Sequence, residues 1–265
     1  MTRIALAAAV FAAGAMLGFS ASARAAGGTI EINQAVVTAA GGFPFKITAA
    51  GSYRLSGNLT PPASTNAINV TAANVTVDLN GFSIAGPGSS NDTVIGVDAA
   101  GIADVTVENG SITGFGVGVQ VGFYGIVRNL HADMNGNGIH AANNTLVEGC
   151  TANNATSTPT TGFGIYCAAA CTISGNTTNG DPFAGIQCTG NFCNITGNTA
   201  IANGAFGIQC LGSGCLISGN TIANSGIGIF ASDNTSGYGG NILNNSMNIS
   251  GGTSIGNNLC GGSAC

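Results

Sequence analysis

The sequence predicts an all-β solenoid, a fold in which the chain winds through successive coils of short strands. Two recurring motifs predict it. A Gly-Ile pair repeats at offsets of 21 and 22 residues, and a Cys-x-Ile-Ser/Thr-Gly-Asn motif repeats every 22 residues. The first motif begins at Gly164, Gly185, Gly207 and Gly228, and the second spans 171–176, 193–198 and 215–220. A fixed period of short β-branched runs, punctuated by Gly and Asn, is typical of solenoids with one repeat per coil.

Residues 1–25 precede the repeats and predict a secretory signal peptide. Arg3 provides a basic start, residues 4–19 form an apolar run, and Ala23-Arg24-Ala25 is a small-residue cleavage motif. The apolar run is too short for a stable membrane helix, and no other stretch approaches 18 apolar residues. We therefore expect a secreted protein, extracellular or periplasmic, with no membrane span in its mature chain.

Residues 26–66 predict an N-terminal cap, because a solenoid must cover the apolar core and strand edges at its end. A short helix is expected at 31–39, and strands are expected at 45–47 and 53–55. Residues 67–265 then form the solenoid. Tracing the motifs backward gives about eight coils, which begin near Asn66 and close near Ile249.

The charge of the mature chain disfavours nucleic acid as a partner. Removal of residues 1–25 leaves Lys46, Arg54 and Arg128 against ten acidic residues, a formal charge of −7. Such a surface repels phosphate backbones and has no basic stripe. Only 6% of residues are charged, so Asn, Thr, Ser and Gly must form most of the hydrated surface.

Nine cysteines behind a signal peptide predict disulfide bonds. Eight of them fall in close pairs, Cys167/Cys171, Cys188/Cys193, Cys210/Cys215 and Cys260/Cys265. A zinc site is the alternative, but one pair per coil distributes the thiols in two rows instead of a tetrahedron. Cysteines of adjacent coils could also pair with each other. Cys150 is left over and is expected to be a buried free thiol, and we expect no metal or other cofactor.

Equivalent residues of successive coils stack about 4.8 Å apart in parallel sheets, so the chain can be analysed in columns. The Ile and Val positions should point inward. An outward column, Asp78, Glu108, Arg128, Glu148, Ser174, Thr196 and Ser218, places an arginine between two glutamates and is interpreted as a structural charge ladder. Asn176, Asn198 and Asn220 occupy one turn position, where Asn tolerates left-handed backbone and can bond to its stacked neighbours.

A second outward column is the candidate functional surface. It consists of Asn69, Asp98, Gln120, His140, Tyr166, Gln187, Gln209 and Phe230. Planar polar groups and aromatic rings are suited to carbohydrate, so this stripe predicts a glycan-binding face. Longer loops at 86–93 and 151–161 precede the same strands and are expected to overhang the column as lips. The alternative is a polar ladder with tolerated insertions.

These repeats resemble the right-handed parallel β-helix repeats of the pectate-lyase-like superfamily. Residues 43–48, 51–59 and 75–84, and the ending 256–265, are similar to secreted bacterial β-helix proteins of mostly unassigned function. The resemblance implies a right-handed parallel β-helix, to which the motif tracing adds about eight coils and an N-terminal cap. It implies little about activity, because such helices also serve as adhesins, tailspikes and scaffolds.

The enzymes of that superfamily act on acidic polysaccharides, and most of their motifs are absent from this chain. It has no adjacent Asp-Asp, no Gly-His-Gly and no Arg-Ile-Lys segment. His140, Tyr166 and Asp98 do resemble the proton-shuttling groups of alginate-type epimerases and lyases, in which His abstracts a proton and Tyr donates one. The predicted function is therefore polysaccharide binding through the second outward column. The alternatives are polysaccharide lyase or uronate epimerase activity, and a structural or adhesive scaffold.

Overall fold

The chain is an all-β parallel solenoid. A computed structural model describes residues 28–88, 93–158 and 160–265, and in these ranges the strands complete about ten turns with one short helix. The predicted fold class is confirmed, whereas the predicted eight coils are too few. The predicted signal peptide at 1–25 lies outside the described residues, and no helix within them is long and apolar enough to cross a membrane.

One face of the solenoid is a ten-stranded parallel sheet, counted over the described residues. Its strands are Phe45–Ile47, Ile68–Val70, Ile95–Ala99, Val117–Val121, Asn137–Ala141, Phe163–Cys167, Ala184–Cys188, Phe206–Cys210, Ile227–Ala231 and Met247–Ser250. The eight strands from Ile68–Val70 to Ile227–Ala231 carry the Gly-Ile type segments that the sequence aligns. The second outward column of the sequence therefore belongs to this sheet.

A nineteen-stranded sheet forms the rest of the described solenoid wall. It consists of two stacks joined by two long strands, Val105–Thr113 and Ile126–His131. The first stack contains Thr29–Ile32, Gly51–Leu55, Val75–Asp78, Leu146–Glu148, Thr172–Ser174, Asn194–Thr196, Leu216–Ser218, Gly237–Gly239 and Thr253–Ser254. The second contains Ser83–Ala85, Thr151–Asn153, Thr177–Asn179, Thr199–Ile201, Thr221–Ala223, Ile242–Asn244, Leu259–Cys260 and Ser263–Ala264. All pairings are parallel except that of the last two strands.

Aliphatic columns fill the interior, as the alternation of Ile and Val with polar residues predicts. In the ten-stranded sheet the inward column is Val97, Val119, Ile139, Ile165, Ile186, Ile208 and Ile229, which are in register and fully buried. Burial of each such side chain contributes about 1.5–3 kcal/mol relative to exposure. Because strand residues alternate between faces, burial of this column directs the next residue of each strand outward.

The N-terminal segment contributes strands to the solenoid, which explains the extra turns. Thr29–Ile32 pairs with Gly51–Leu55, and Phe45–Ile47 pairs with Ile68–Val70. The helix is Gln34–Ala39, so the predicted start at residue 31 is wrong. It begins later because Asn33 is the N-cap, with its side-chain oxygen accepting a hydrogen bond from the Val36 amide. Strands also continue past Ile249, the predicted end.

Buried asparagines at one turn position of successive coils form a ladder along the solenoid, as predicted. Asn176, Asn198, Asn220, Asn241 and Asn258 bond in series, each receiving hydrogen bonds from the previous member. The prediction assigned the left-handed backbone to the asparagines. It lies instead on the glycine before four of them, Gly175, Gly197, Gly219 and Gly240, with φ of 63°, 65°, 66° and 68°. Glycine adopts this conformation without a Cβ clash.

Three of the four predicted disulfide bonds are present: Cys167–Cys171, Cys210–Cys215 and Cys260–Cys265. The prediction for Cys188 and Cys193 is wrong in this structure, where both are buried thiols. The hydrogen bond from Cys188 lowers the pKa of Cys193, whereas burial raises the pKa of Cys188. The sulfur of Cys193 also lies within 4.8 Å of the Cys167 and Cys171 sulfurs. The cysteine sulfurs of these two adjacent coils are therefore close neighbours in the interior.

Cys150 is a buried free thiol, as predicted. Burial raises its pKa to about 11, which keeps the sulfur protonated and unreactive at neutral pH. Its backbone amide donates to the Asn176 side-chain oxygen. Cys150 therefore occupies the ladder position one coil before Asn176, and the asparagine ladder ends there.

Thiol titration of the unfolded, unreduced protein is expected to count three free thiols, from Cys150, Cys188 and Cys193. Alkylation followed by peptide mass spectrometry identifies them. A count of one, confined to Cys150, would mean that Cys188 and Cys193 are also bonded, as the sequence predicts. A count of nine would show that the protein carries no disulfide bonds and would contradict the structure.

Candidate functional site

The second outward column is continuous in the structure. Its register places Asp98 beside Gln120, Gln120 beside His140, and His140 beside Tyr166 on four neighbouring strands. The column then continues through Gln187, Gln209 and Phe230, and begins with Lys46 and Asn69. The insertion between His140 and Tyr166 therefore leaves their strands directly paired.

A pocket of about 210 Å³ opens on this column around Gln120, His140 and Tyr166. The three side chains are partly exposed. The ring centroids of His140 and Tyr166 are 5.1 Å apart with the planes tilted by 47°, and the Tyr166 hydroxyl lies 3.3 Å from the Thr189 hydroxyl. The remaining lining is small and apolar, consisting of Ala100, Gly101, Val121, Ala141, Ala142 and Ala168. The site is thus an aromatic pair and an amide above a floor of small side chains.

Asp98 is close to this pocket without lining it. Its Oδ1 accepts a hydrogen bond of 3.0 Å from the Ala100 amide, and its Oδ2 accepts one of 3.4 Å from the Asn66 side-chain amide. The same Asn66 nitrogen donates to Asn69. Asp98 therefore fixes the turn at Ala100 and Gly101, which forms one wall of the pocket, and both of its carboxylate oxygens accept hydrogen bonds.

Gln187 and Gln209 occupy the predicted column but are buried, with exposed fractions of 6% and 5%. The Gln187 side-chain amide donates to the Gln209 side-chain oxygen. Column alignment predicted the position of both glutamines correctly, because the alternation of strand residues determines that position. It did not predict that their side chains are buried. One hydrogen bond therefore links the two buried side chains across adjacent coils.

An aromatic ladder runs along the same face and was not predicted. Phe163, Phe183, Phe206 and Phe230 contact each other in sequence, with successive ring centroids 5.4 Å apart. Phe163 joins the ladder to Tyr166 at 5.6 Å. Phe230, predicted as a separate binding residue, is the last ring of this ladder. The signal was present in the sequence, since three of the four phenylalanines lie one or two residues before a Gly-Ile motif.

The described residues of the predicted lips do not line the pocket. The walls come from residues that follow the strands, such as Ala100, Ala142 and Ala168, whereas the loops at 86–93 and 151–161 precede them. Residues 89–92 and 159 of these loops lie outside the described residues. Among the described residues, the walls of the pocket are therefore the short turns that directly follow the strands.

The basic residues of the described chain lie away from the pocket. Arg54 pairs with Asp78 at 3.2 Å and Arg128 pairs with Glu108 at 2.6 Å, both on the nineteen-stranded sheet. The register Glu108, Arg128, Glu148 confirms the predicted position of the arginine between two glutamates. Because the arginines are partly exposed, each pair contributes about 0–1 kcal/mol, and the ladder serves mainly to offset like charges.

Searches for similar proteins returned no match to this chain, whether against family models, curated proteins or solved structures.

Proposed function

We propose that this protein is a secreted polysaccharide-binding β-solenoid of the pectate-lyase-like type that its repeats resemble, and that its pocket holds a sugar. The observation that carries the proposal is the placement of Gln120, His140 and Tyr166 side by side on three paired strands around one opening. The three disulfide bonds are consistent with an oxidising, extracytoplasmic compartment.

The chemistry of the three side chains suits a sugar. The face of an aromatic ring packs against the C–H groups of a pyranose, while amide and imidazole nitrogens and the phenol oxygen bond to hydroxyls. Ligand sites commonly combine an apolar lining with a few placed polar groups. Paired strands hold these groups rigidly, which lowers the ordering cost of binding.

The proposed site is smaller than the whole column. Gln187 and Gln209 are buried and bonded to each other, and Phe230 belongs to the aromatic ladder. A chain of sugars lying along the face would therefore contact rings beyond Tyr166, with its polar contacts concentrated at the pocket.

Loss of the pocket side chains is expected to weaken binding to a panel of immobilised polysaccharides. Tyr166→Ala and His140→Ala should each raise the dissociation constant about 10- to 100-fold, as truncation of a central contact residue does. Phe192→Ala is the matched control, since Phe192 is a 70% exposed aromatic residue outside the pocket lining. The proposal fails if no polysaccharide binds, or if the control weakens binding as much as the pocket variants do.

The second candidate is a polysaccharide lyase or uronate epimerase with His140 as base and Tyr166 as acid. The observation that favours it is their ring contact at 5.1 Å, which puts both groups within reach of one sugar ring. Incubation with pectate, alginate and glycosaminoglycans would then produce unsaturated ends that absorb in the ultraviolet, or altered sugar configuration. Absence of product from all three would exclude these uronate polymers as substrates.

A further inference from the structure

We infer that the pocket selects an uncharged sugar and rejects a uronate. This inference rests on the proposed function, because it names the class of glycan that the same pocket takes. It concerns the charges that a bound sugar carboxylate would meet. Three features determine these charges: the residues that line the pocket, the neighbouring column residue Asp98, and the positions of the Lys and Arg side chains.

Among the described residues, the lining offers a carboxylate no fixed positive charge. Its nine residues include neither Lys nor Arg, and six of them are Ala, Gly or Val. The two arginines of the described chain are ion-paired on the other sheet. Lys46 belongs to the same column but is three strands from Gln120, about 14 Å at the usual strand spacing. A carboxylate placed here would lose hydration without gaining a cationic partner.

The charged residue next to the pocket along the column is negative. Asp98 is the strand neighbour of Gln120, and its carboxylate is held in place by the Ala100 amide. A uronate at the pocket would therefore be repelled as well as uncompensated. The strand neighbours of His140 are Gln120 and Tyr166, so the strands on either side place no cationic side chain next to it.

An uncharged sugar meets none of these costs. Its hydroxyls can bond to the Gln120 amide and to the nitrogens and oxygen of the aromatic pair, and its C–H face can pack on the alanine floor. The same features that exclude a carboxylate therefore fit a neutral hexose or pentose unit. A neutral polymer is the glycan class that this surface matches.

Calorimetric titration at pH 8, where an ordinary histidine is neutral, tests the inference with cello-, xylo- and manno-oligosaccharides against oligogalacturonate and oligoalginate. The native protein should bind at least one neutral series and bind the uronates at least tenfold more weakly. Gln120→Arg adds a guanidinium at the partly exposed pocket edge and should strengthen uronate binding at least tenfold. Gln120→Met, of similar length and uncharged, should not.

The outcomes separate this inference from the function on which it rests. Tighter binding of a uronate than of any neutral series by the native protein would overturn the inference and leave glycan binding intact. Equal uronate binding by the Arg and Met variants would overturn it as well, since the missing cation would not then be the reason for rejection. Absence of binding to both classes would overturn the proposed function and the inference together.

Discussion

Replacement of Asn198 by alanine is expected to lower the free energy of unfolding by about 2–6 kcal/mol. The Asn198 side chain donates to the Ile173 carbonyl and to Asn220, and its oxygen accepts from the backbone and side-chain amides of Asn176. All three asparagines are 1% exposed. Alanine would leave the Ile173 carbonyl and the Asn176 amide without partners in the interior, and each such group costs about 1–3 kcal/mol.

Chemical denaturation at constant pH measures this loss. Thr196→Ala is the control, because Thr196 lies two residues away in the outward column and its hydroxyl can be hydrated from outside. We expect the control to change stability by less than about 1 kcal/mol. A loss below that value for Asn198→Ala would show that water enters the turn and replaces the ladder.

Replacement of Asp181 by asparagine is expected to stabilise the protein strongly above pH 8. Asp181 is fully buried, its Oδ1 accepts from the Ala155 amide, and its own amide donates to the Asn203 side chain. Among the described residues its Oδ2 has no hydrogen-bond partner. Burial raises its pKa to about 8, and the nearby charge of Asp133 adds to the rise.

The sign of the pH dependence follows from this raised pKa. Between an unfolded value of 3.8 and a folded value of about 8, the folded protein holds a proton that the unfolded chain has lost, so stability falls as pH rises through this window and levels off above it. At ~1.4 kcal/mol per pKa unit, the total loss is on the order of 5 kcal/mol. Asparagine occupies the equivalent turn position at Asn135, where its amide nitrogen donates to the Ile112 carbonyl, and it cannot ionise.

Denaturation midpoints at pH 5, 7 and 9 test the Asp181 prediction. The native protein should lose stability across this range, and Asp181→Asn should be nearly flat. Asp233→Asn is the control: hydrogen bonds from Thr235 and other groups lower the Asp233 pKa to about 2, so its removal should leave the slope between pH 5 and 9 unchanged. An equal slope in the native protein and in Asp181→Asn would contradict the assignment of the proton to Asp181.

Column positions could be predicted because the repeat itself acts as a ruler. Ile139 and Ile165 fix the register of their strands, and alternation then places His140 and Tyr166 next to each other outside, even across the insertion between them. The same reasoning correctly placed Arg128 beside Glu108. Where each coil carries its motif, register is dictated by the requirement to bury one aliphatic residue per strand.

Features that depend on contacts between columns could not be predicted in this way. Gln187 is outward by alternation, yet it is buried and bonded to Gln209. Asp181 stands where other coils carry Asn, and only the structure shows that it is fully buried. The first turns were missed because the strand at Phe45–Ile47 pairs with the solenoid without carrying its Gly-Ile motif.

Chemical-shift mapping with a neutral oligosaccharide tests the central claim of glycan binding at the pocket most directly. Titration of the isotope-labelled native protein should perturb the amide and side-chain signals of Gln120, His140 and Tyr166, together with the backbone of Gly101 and Ala168. The same titration of Tyr166→Ala should leave those positions nearly unshifted. Perturbations confined to the nineteen-stranded sheet, or none across neutral and acidic sugars, would contradict the account.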